Sequence, residues 1–90
     1  MSPATGTGGV RAVVEILARA LTDRPDDVKV IESQHKGTTL VELYVAPGEL
    51  GRVIGRQGRT AAALRTLAAA AGEKEGKTVT LEIRDTPYKG

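Results

Sequence analysis

Val10, Val13, Val14, Leu17, Ala20 and Leu21 recur at i, i+3 and i+4, the stripe of an amphipathic helix, with Arg11, Glu15 and Arg19 on its other face. Asp23-Arg24-Pro25-Asp26-Asp27 then breaks the pattern, since proline and paired acids favour a turn. Val28 to Gln34 predicts a short strand, although Val30 and Ile31 spoil strict alternation. His35-Lys36-Gly37 predicts a turn. Thr39 to Ala46 predicts a second strand, with Val41, Leu43 and Val45 on an apolar side and Leu40, Glu42 and Tyr44 on a mixed one. Pro47 opens a short predicted helix to Ile54, its proline early in the first turn and Glu49 near the positive end of the dipole. Gly55 and Gly58 interrupt it, and a helix from Thr60 to Ala71 follows, with Ala61, Leu64, Leu67, Ala68 and Ala71 on one face and Gly72 as its expected C-terminal cap. Lys77 to Arg84 predicts the last strand: Val79, Leu81 and Ile83 point to the core, Thr78, Thr80, Glu82 and Arg84 to water.

The predicted order is α-β-β-α-α-β. Three strands and three helices pack most economically as two layers, an α+β fold with the helices on one face of a three-stranded sheet. The polar outer side of the last strand and the mixed outer side of the middle one agree with a sheet whose second face is open to solvent. Residues 1–9, a mixture of Gly, Thr, Ser and Pro without an apolar face, predict a disordered tail; residues 10–85 form the single domain, and residues 86–90 predict a flexible C-terminal tail.

Composition narrows the function. A chain of 90 residues builds one modest core. It has no cysteine, which removes disulfides, thiolate metal sites and a cysteine nucleophile, and fits a reducing compartment. No apolar run approaches the roughly 18 residues of a membrane span, and the first residues do not pattern as a signal peptide, so a cytoplasmic location is expected. His35 has no acid or second histidine at ligand spacing and reads as a loop residue, so no metal or cofactor is expected. The net charge is only +2, yet Gly51 to Gly72 contains no acid while Arg52, Arg56, Arg59 and Arg65 fall within it. Such an asymmetry suits a polyanion, although a solvated basic helix face would pattern the same way.

Gly-x-x-Gly occurs three times, at Gly6/Gly9, Gly48/Gly51 and Gly55/Gly58. The third alone lies between two amphipathic helices, behind Val53-Ile54 and ahead of a helix N-terminus. Glycines there let a sugar-phosphate backbone approach closely and tolerate a sharp helix-to-helix turn. Free amides at the start of the next helix attract phosphates. Arg56 in the loop and Arg52 and Arg59 beside it can add charge-assisted hydrogen bonds, and Gln57 offers a neutral donor and acceptor. The alternative is a plain corner in which the glycines serve geometry alone.

The run Val45-Ala46-Pro47-Gly48-Glu49-Leu50-Gly51-Arg52-Val53-Ile54-Gly55-Arg56-Gln57-Gly58-Arg59-Thr60 resembles the core of a KH domain, and most of all the small bacterial single-KH proteins of the KhpA type. The resemblance extends from about Val10 to Asp85, and the element order is that of the type II, prokaryotic KH fold. It implies a groove for four unpaired nucleotides whose backbone is clamped by Gly55, Arg56, Gln57 and Gly58. It further implies Val53, Ile54 and Ala61 on an apolar floor, with Leu64 beneath, and Arg52 and Arg59 flanking the phosphates. Where the family often has lysine this chain has Arg56, which keeps the charge. The resemblance also implies an RNA chaperone or post-transcriptional regulator, a homodimer or a heterodimer with a larger KH-domain RNA-binding protein, and a part in cell-shape and cell-wall regulation.

Aromatic content agrees with a KH groove. The chain has no Phe or Trp, and Tyr44 and Tyr88 are its only tyrosines, so it cannot build the stacking platform of RRM, OB-fold or cold-shock modules. The competing function is a protein-interaction KH module with little intrinsic RNA binding. An enzyme is disfavoured: no nucleophile–base pair flanks a glycine turn, and the nucleotide-binding glycine signatures are absent. Glu42 and Glu82 read as solvent-facing strand residues. Duplex DNA is disfavoured because no helix projects Asn, Gln and Arg together toward base edges.

Overall fold

A computed structural model describes residues 9–85. The helix α1 (Val10–Leu21) leads through a 3-10 turn at Pro25–Asp27 into β1 (Lys29–His35) and β2 (Thr38–Val45). The short helix α2 (Leu50–Ile54), a 3-10 turn at Arg56–Gly58, the long helix α3 (Arg59–Lys74) and β3 (Thr78–Asp85) complete the order α-β-β-α-α-β. The two tail expectations fall mostly on residues outside those described; Gly9, at the edge of the first, is the N-cap residue of α1, its carbonyl accepting the Val13 amide at 3.1 Å.

The sheet order is β1-β2-β3. β1 and β2 are antiparallel, paired from Lys29↔Tyr44 to His35↔Thr38, and Lys36 and Gly37 close the hairpin with φ of 47° and 87°. A two-residue loop with both central φ positive gives the twist that antiparallel strands need. β2 and β3 are parallel, from Thr38↔Thr78 to Val45↔Asp85, so the chain must cross over between them. That crossover is α2, the glycine turn and α3. The candidate loop therefore lies within the crossover, between its two helices.

One face of the sheet is covered. Thr39, Val41, Leu43 and Val45 of β2 alternate into the core, where they meet Val10, Val14 and Ala18 of α1, Val53 of α2, and Leu64 and Ala68 of α3. On the open face, the Tyr44 hydroxyl donates to Glu42 at 3.3 Å, and Arg84 pairs with the same carboxylate at 3.5 Å.

Several boundaries differ from expectation for definite reasons. α2 begins at Leu50 rather than Pro47, because Gly48 at φ 91° and the Glu49 amide bonded to the Ala46 carbonyl (3.0 Å) make a turn first. Gly72 does not cap α3; it is buried inside it, where a Cβ would overlap Cγ2 of Val79. The closure comes four residues later: Gly76 at φ 71° donates to the Glu73 carbonyl (3.0 Å) and Lys77 to the Gly72 carbonyl (2.9 Å), a Schellman closure. Leu67, Ala20 and Leu21, expected on the apolar stripes, lie exposed, while Ala18 joins Val10 and Val14 in the buried face of α1.

Candidate nucleic-acid interface

The connection between α2 and α3 is a tight corner. The Gly55 amide closes α2 on the Gly51 carbonyl at 2.9 Å, the Gly58 amide returns to the Gly55 carbonyl at 3.1 Å, and the Arg59 amide bonds to the Arg56 carbonyl. Gly55 has φ 80° and ψ 170°, and Gly58 has φ 73° and ψ 13°. Both angles lie where a side chain is disfavoured, and at Gly55 a Cβ would also overlap Thr60, so glycine suits the turn at both positions and Gly55 most of all. Gln57 is a non-glycine residue in the left-handed region, at φ 59° and ψ 23°. A side chain held there is strained, and such strain concentrates at functional loops.

The side chains of the corner face solvent. Arg56, Gln57 and Arg59 are exposed, and an Arg59 Nη2 donates to the Gln57 Oε1 at 3.0 Å, laying the guanidinium along the loop. Among the described residues neither Arg56 nor Arg59 has an acidic partner. Their charge is therefore uncompensated at the N-terminus of α3, a helix of 16 residues whose first amides add to the positive potential.

Arg52 is different. It pairs with Asp23 at 2.9 Å and with Glu49 at 3.6 Å, on the approach to the loop. Glu49 in turn accepts from the Thr22 hydroxyl at 2.5 Å and from the Asp23 amide at 2.8 Å. The Thr22 hydroxyl, the Asp23 amide and the Arg52 charge together hold the Glu49 carboxyl below its ordinary 4.5. This network ties the end of α1 to the start of α2. It was not legible from local pattern, since Thr22 and Glu49 are 27 residues apart.

The apolar residues expected on a floor separate by depth. Val53 is fully buried in the core and Ala61 is almost so, whereas Ile54 is half-buried beside the loop. Leu64 lies beneath, 3% exposed. Arg65, from the acid-free segment, stands on α3 with its Nε donating to the Leu81 carbonyl of β3 at 3.4 Å.

Comparison with known proteins matches residues 11–83 to the family model for the KhpA/KhpB KH domain. The chain is 50% identical over 74 residues to the RNA-binding protein KhpA of Aquifex aeolicus, covering 82% of this chain and 94% of that protein. It is 49% identical over 74 residues to the RNA-binding protein KhpA of Mycobacterium tuberculosis (strain ATCC 25618 / H37Rv), covering 81% and 88%. Among solved structures, the crystal structure of Era in complex with MgGDPNP and nucleotides 1506–1542 of 16S ribosomal RNA matches with a TM-score of 0.63 at 21% identity, over 87% of this chain and 30% of that one. The Era likeness is one of fold. The extent of the family match and the identities over nearly whole relatives settle membership: this chain belongs to the KhpA/KhpB KH-domain family.

Proposed function

We propose that this protein binds single-stranded RNA by holding about four unpaired nucleotides at the Gly55–Gly58 corner. The observation that supports it most is the corner's combination of two positive-φ glycines with the charges of Arg56 and Arg59 at the head of α3, which no acid pairs among the described residues. Glycine at 55 and 58 keeps the backbone bare for a phosphate, and the arginines supply charge-assisted hydrogen bonds to it. Half-buried Ile54 gives the adjoining surface an apolar side chain, with Ala61 buried beneath it. A groove this small holds RNA weakly, in the manner of a chaperone or post-transcriptional regulator.

Fluorescence-anisotropy titration of a mixed single-stranded RNA tests the reading. Wild type should bind, with log K falling against log salt at a slope of roughly −2 for about three neutralised phosphates. The double variant Arg56→Asp/Gln57→Asp should stay folded by circular dichroism, because both side chains are exposed, and should not bind. Equal binding by both proteins would leave the corner as geometry alone and favour the protein-interaction module.

Family membership adds pairing of grooves to this proposal, as a homodimer or with a larger KH-domain RNA-binding protein acting in cell-shape and cell-wall regulation in the cytoplasm. Linking two weak grooves raises affinity without new RNA contacts. The outer flank of the α1–α3 pair supports it: Ile16 is 68% and Leu67 46% exposed, beside an apolar depression of about 210 Å³. Sedimentation of the protein alone and with such a partner checks it, and a monomer in both mixtures would overturn it.

A further inference from the structure

Arg65 belongs to the acid-free segment but not to the phosphate corner. It is six residues beyond Arg59, about 9 Å further along α3. Its neighbours on the helix surface, at i−4, i−3, i+3 and i+4, are Ala61, Ala62, Ala68 and Ala69. Ala62 and Ala69 are exposed while Ala61 and Ala68 are buried, and no acid is paired with the guanidinium among the described residues. Thr60, Ala63, Leu64 and Leu67 of α3 line a depression shared with Leu17, Ala20 and Leu21 of α1. Arg65 projects from the opposite flank, over β3, which is an edge strand.

The bond from Nε to the Leu81 carbonyl decides how this arginine can be used. It occupies the side-on edge of the guanidinium and fixes the plane, leaving the two terminal nitrogens as an end-on fork of parallel N–H donors. Such a fork fits two adjacent acceptors in one plane. Guanine offers them at O6 and N7, and cytosine at O2 and N3. Adenine sets a donor beside N7, and uracil sets its N3–H donor between its two carbonyls. Arg65 is exposed and so are Ala62 and Ala69 on one side of it, which leaves room for a base in the plane of the fork on that side.

We propose that Arg65 is a specificity-determining residue that reads one base with two adjacent acceptors, cytosine or guanine, in the strand held by the Gly55–Gly58 corner. The inference rests on the RNA-binding proposal above and adds sequence preference to it. Fluorescence anisotropy with a short oligouridine, and with the same strand carrying a single cytidine, guanosine or adenosine, tests it on wild type, Arg65→Ala and Arg65→Lys. Wild type should prefer the cytidine or the guanosine strand about tenfold over the uridine and adenosine strands, the discrimination a bidentate contact provides. Both variants should bind all four strands with the affinity of wild type for oligouridine, since lysine keeps the charge but not the fork. Wild type binding all four strands equally overturns the inference and leaves RNA binding intact. So does preference that survives in Arg65→Ala, or a uniform loss across the four strands with a salt slope shallower by about 0.7, the mark of a phosphate contact. Wild type binding none of the strands overturns the RNA-binding proposal and this inference with it.

Discussion

Gly55 and Gly58 look equivalent in the motif, and the structure predicts that they are not. At Gly55, φ 80° and ψ 170° lie in a region that is essentially closed to other residues, and entering it costs about 1–3 kcal/mol. A Cβ there would also overlap the Thr60 hydroxyl and stand 3.0 Å from the Thr60 backbone nitrogen. Overpacking of that kind costs a further ~1–3 kcal/mol. At Gly58, φ 73° and ψ 13° are left-handed helical, and nothing lies within 4 Å of a Cβ. Alanine there faces only the left-handed penalty of about 1–2 kcal/mol. Both substitutions gain ~0.4–1 kcal/mol from a stiffer unfolded chain, so that part cancels in the comparison. Gly55→Ala should therefore be less stable than Gly58→Ala by about 1–4 kcal/mol, a large share of the ~5–10 kcal/mol expected for a domain of this size. Urea denaturation followed by circular dichroism measures the difference. The Gly55→Ala/Thr60→Ala double variant should recover part of the loss, because it removes the hydroxyl but not the torsional cost. Equal stability of the two single variants, or no coupling with Thr60, refutes the reasoning.

Three further outcomes follow from named contacts. Leu64→Ala should cost about 2–5 kcal/mol and Leu67→Ala less than about 1 kcal/mol in the same urea assay, since Leu64 is 3% and Leu67 46% exposed. The Glu49 carboxyl is held below its ordinary 4.5, so its hydrogen bonds stabilise the fold above that pH and are lost as pH falls through the lowered value. Glu49→Gln should accordingly show a shallower fall in thermal midpoint from pH 5 to pH 3 than wild type, and parallel curves would contradict the assignment. Arg52 is engaged by Asp23 and Glu49, so Arg52→Ala should leave the salt slope of RNA binding nearly unchanged, whereas Arg56→Ala should make it shallower by about 0.7.

Much of this was legible in the sequence because it is local. The alternation of Val41, Leu43 and Val45 and the position of Gly55 and Gly58 between two helical patterns named the sheet face and the corner. Helix periodicity was less informative about depth. Leu64 and Leu67 share a stripe, yet the sheet covers only one side of it, and the helix α1 leaves the other side open. Gly72 looked like a cap because glycine commonly ends helices; the need it meets is the close approach of Val79, a residue on the following strand. The Arg52 pairing escaped for the same reason. A charge count sees Arg52 as one more cation in an acid-free segment, while its partner Asp23 arrives from the end of α1.

Gln57 shows how the corner divides stability from function. Its left-handed backbone costs about 1–2 kcal/mol for a side chain. Glycine would lift that cost, while a more flexible unfolded chain would take back ~0.4–1 kcal/mol. Gln57→Gly should therefore be as stable as wild type or slightly more so. It would also lose the acceptor that holds Arg59 along the loop at 3.0 Å. A guanidinium released to solvent must be ordered again when a phosphate arrives, and immobilising such a side chain costs about 0.5–1.5 kcal/mol. RNA affinity should consequently fall roughly two- to tenfold in Gln57→Gly while the fold is unharmed, as read by anisotropy and urea denaturation on one preparation. Opposite movement of the two quantities means that the strained glutamine is kept for binding. Unchanged affinity would make the Gln57–Arg59 contact incidental, and the corner's grip would then rest on its glycines and on Arg56.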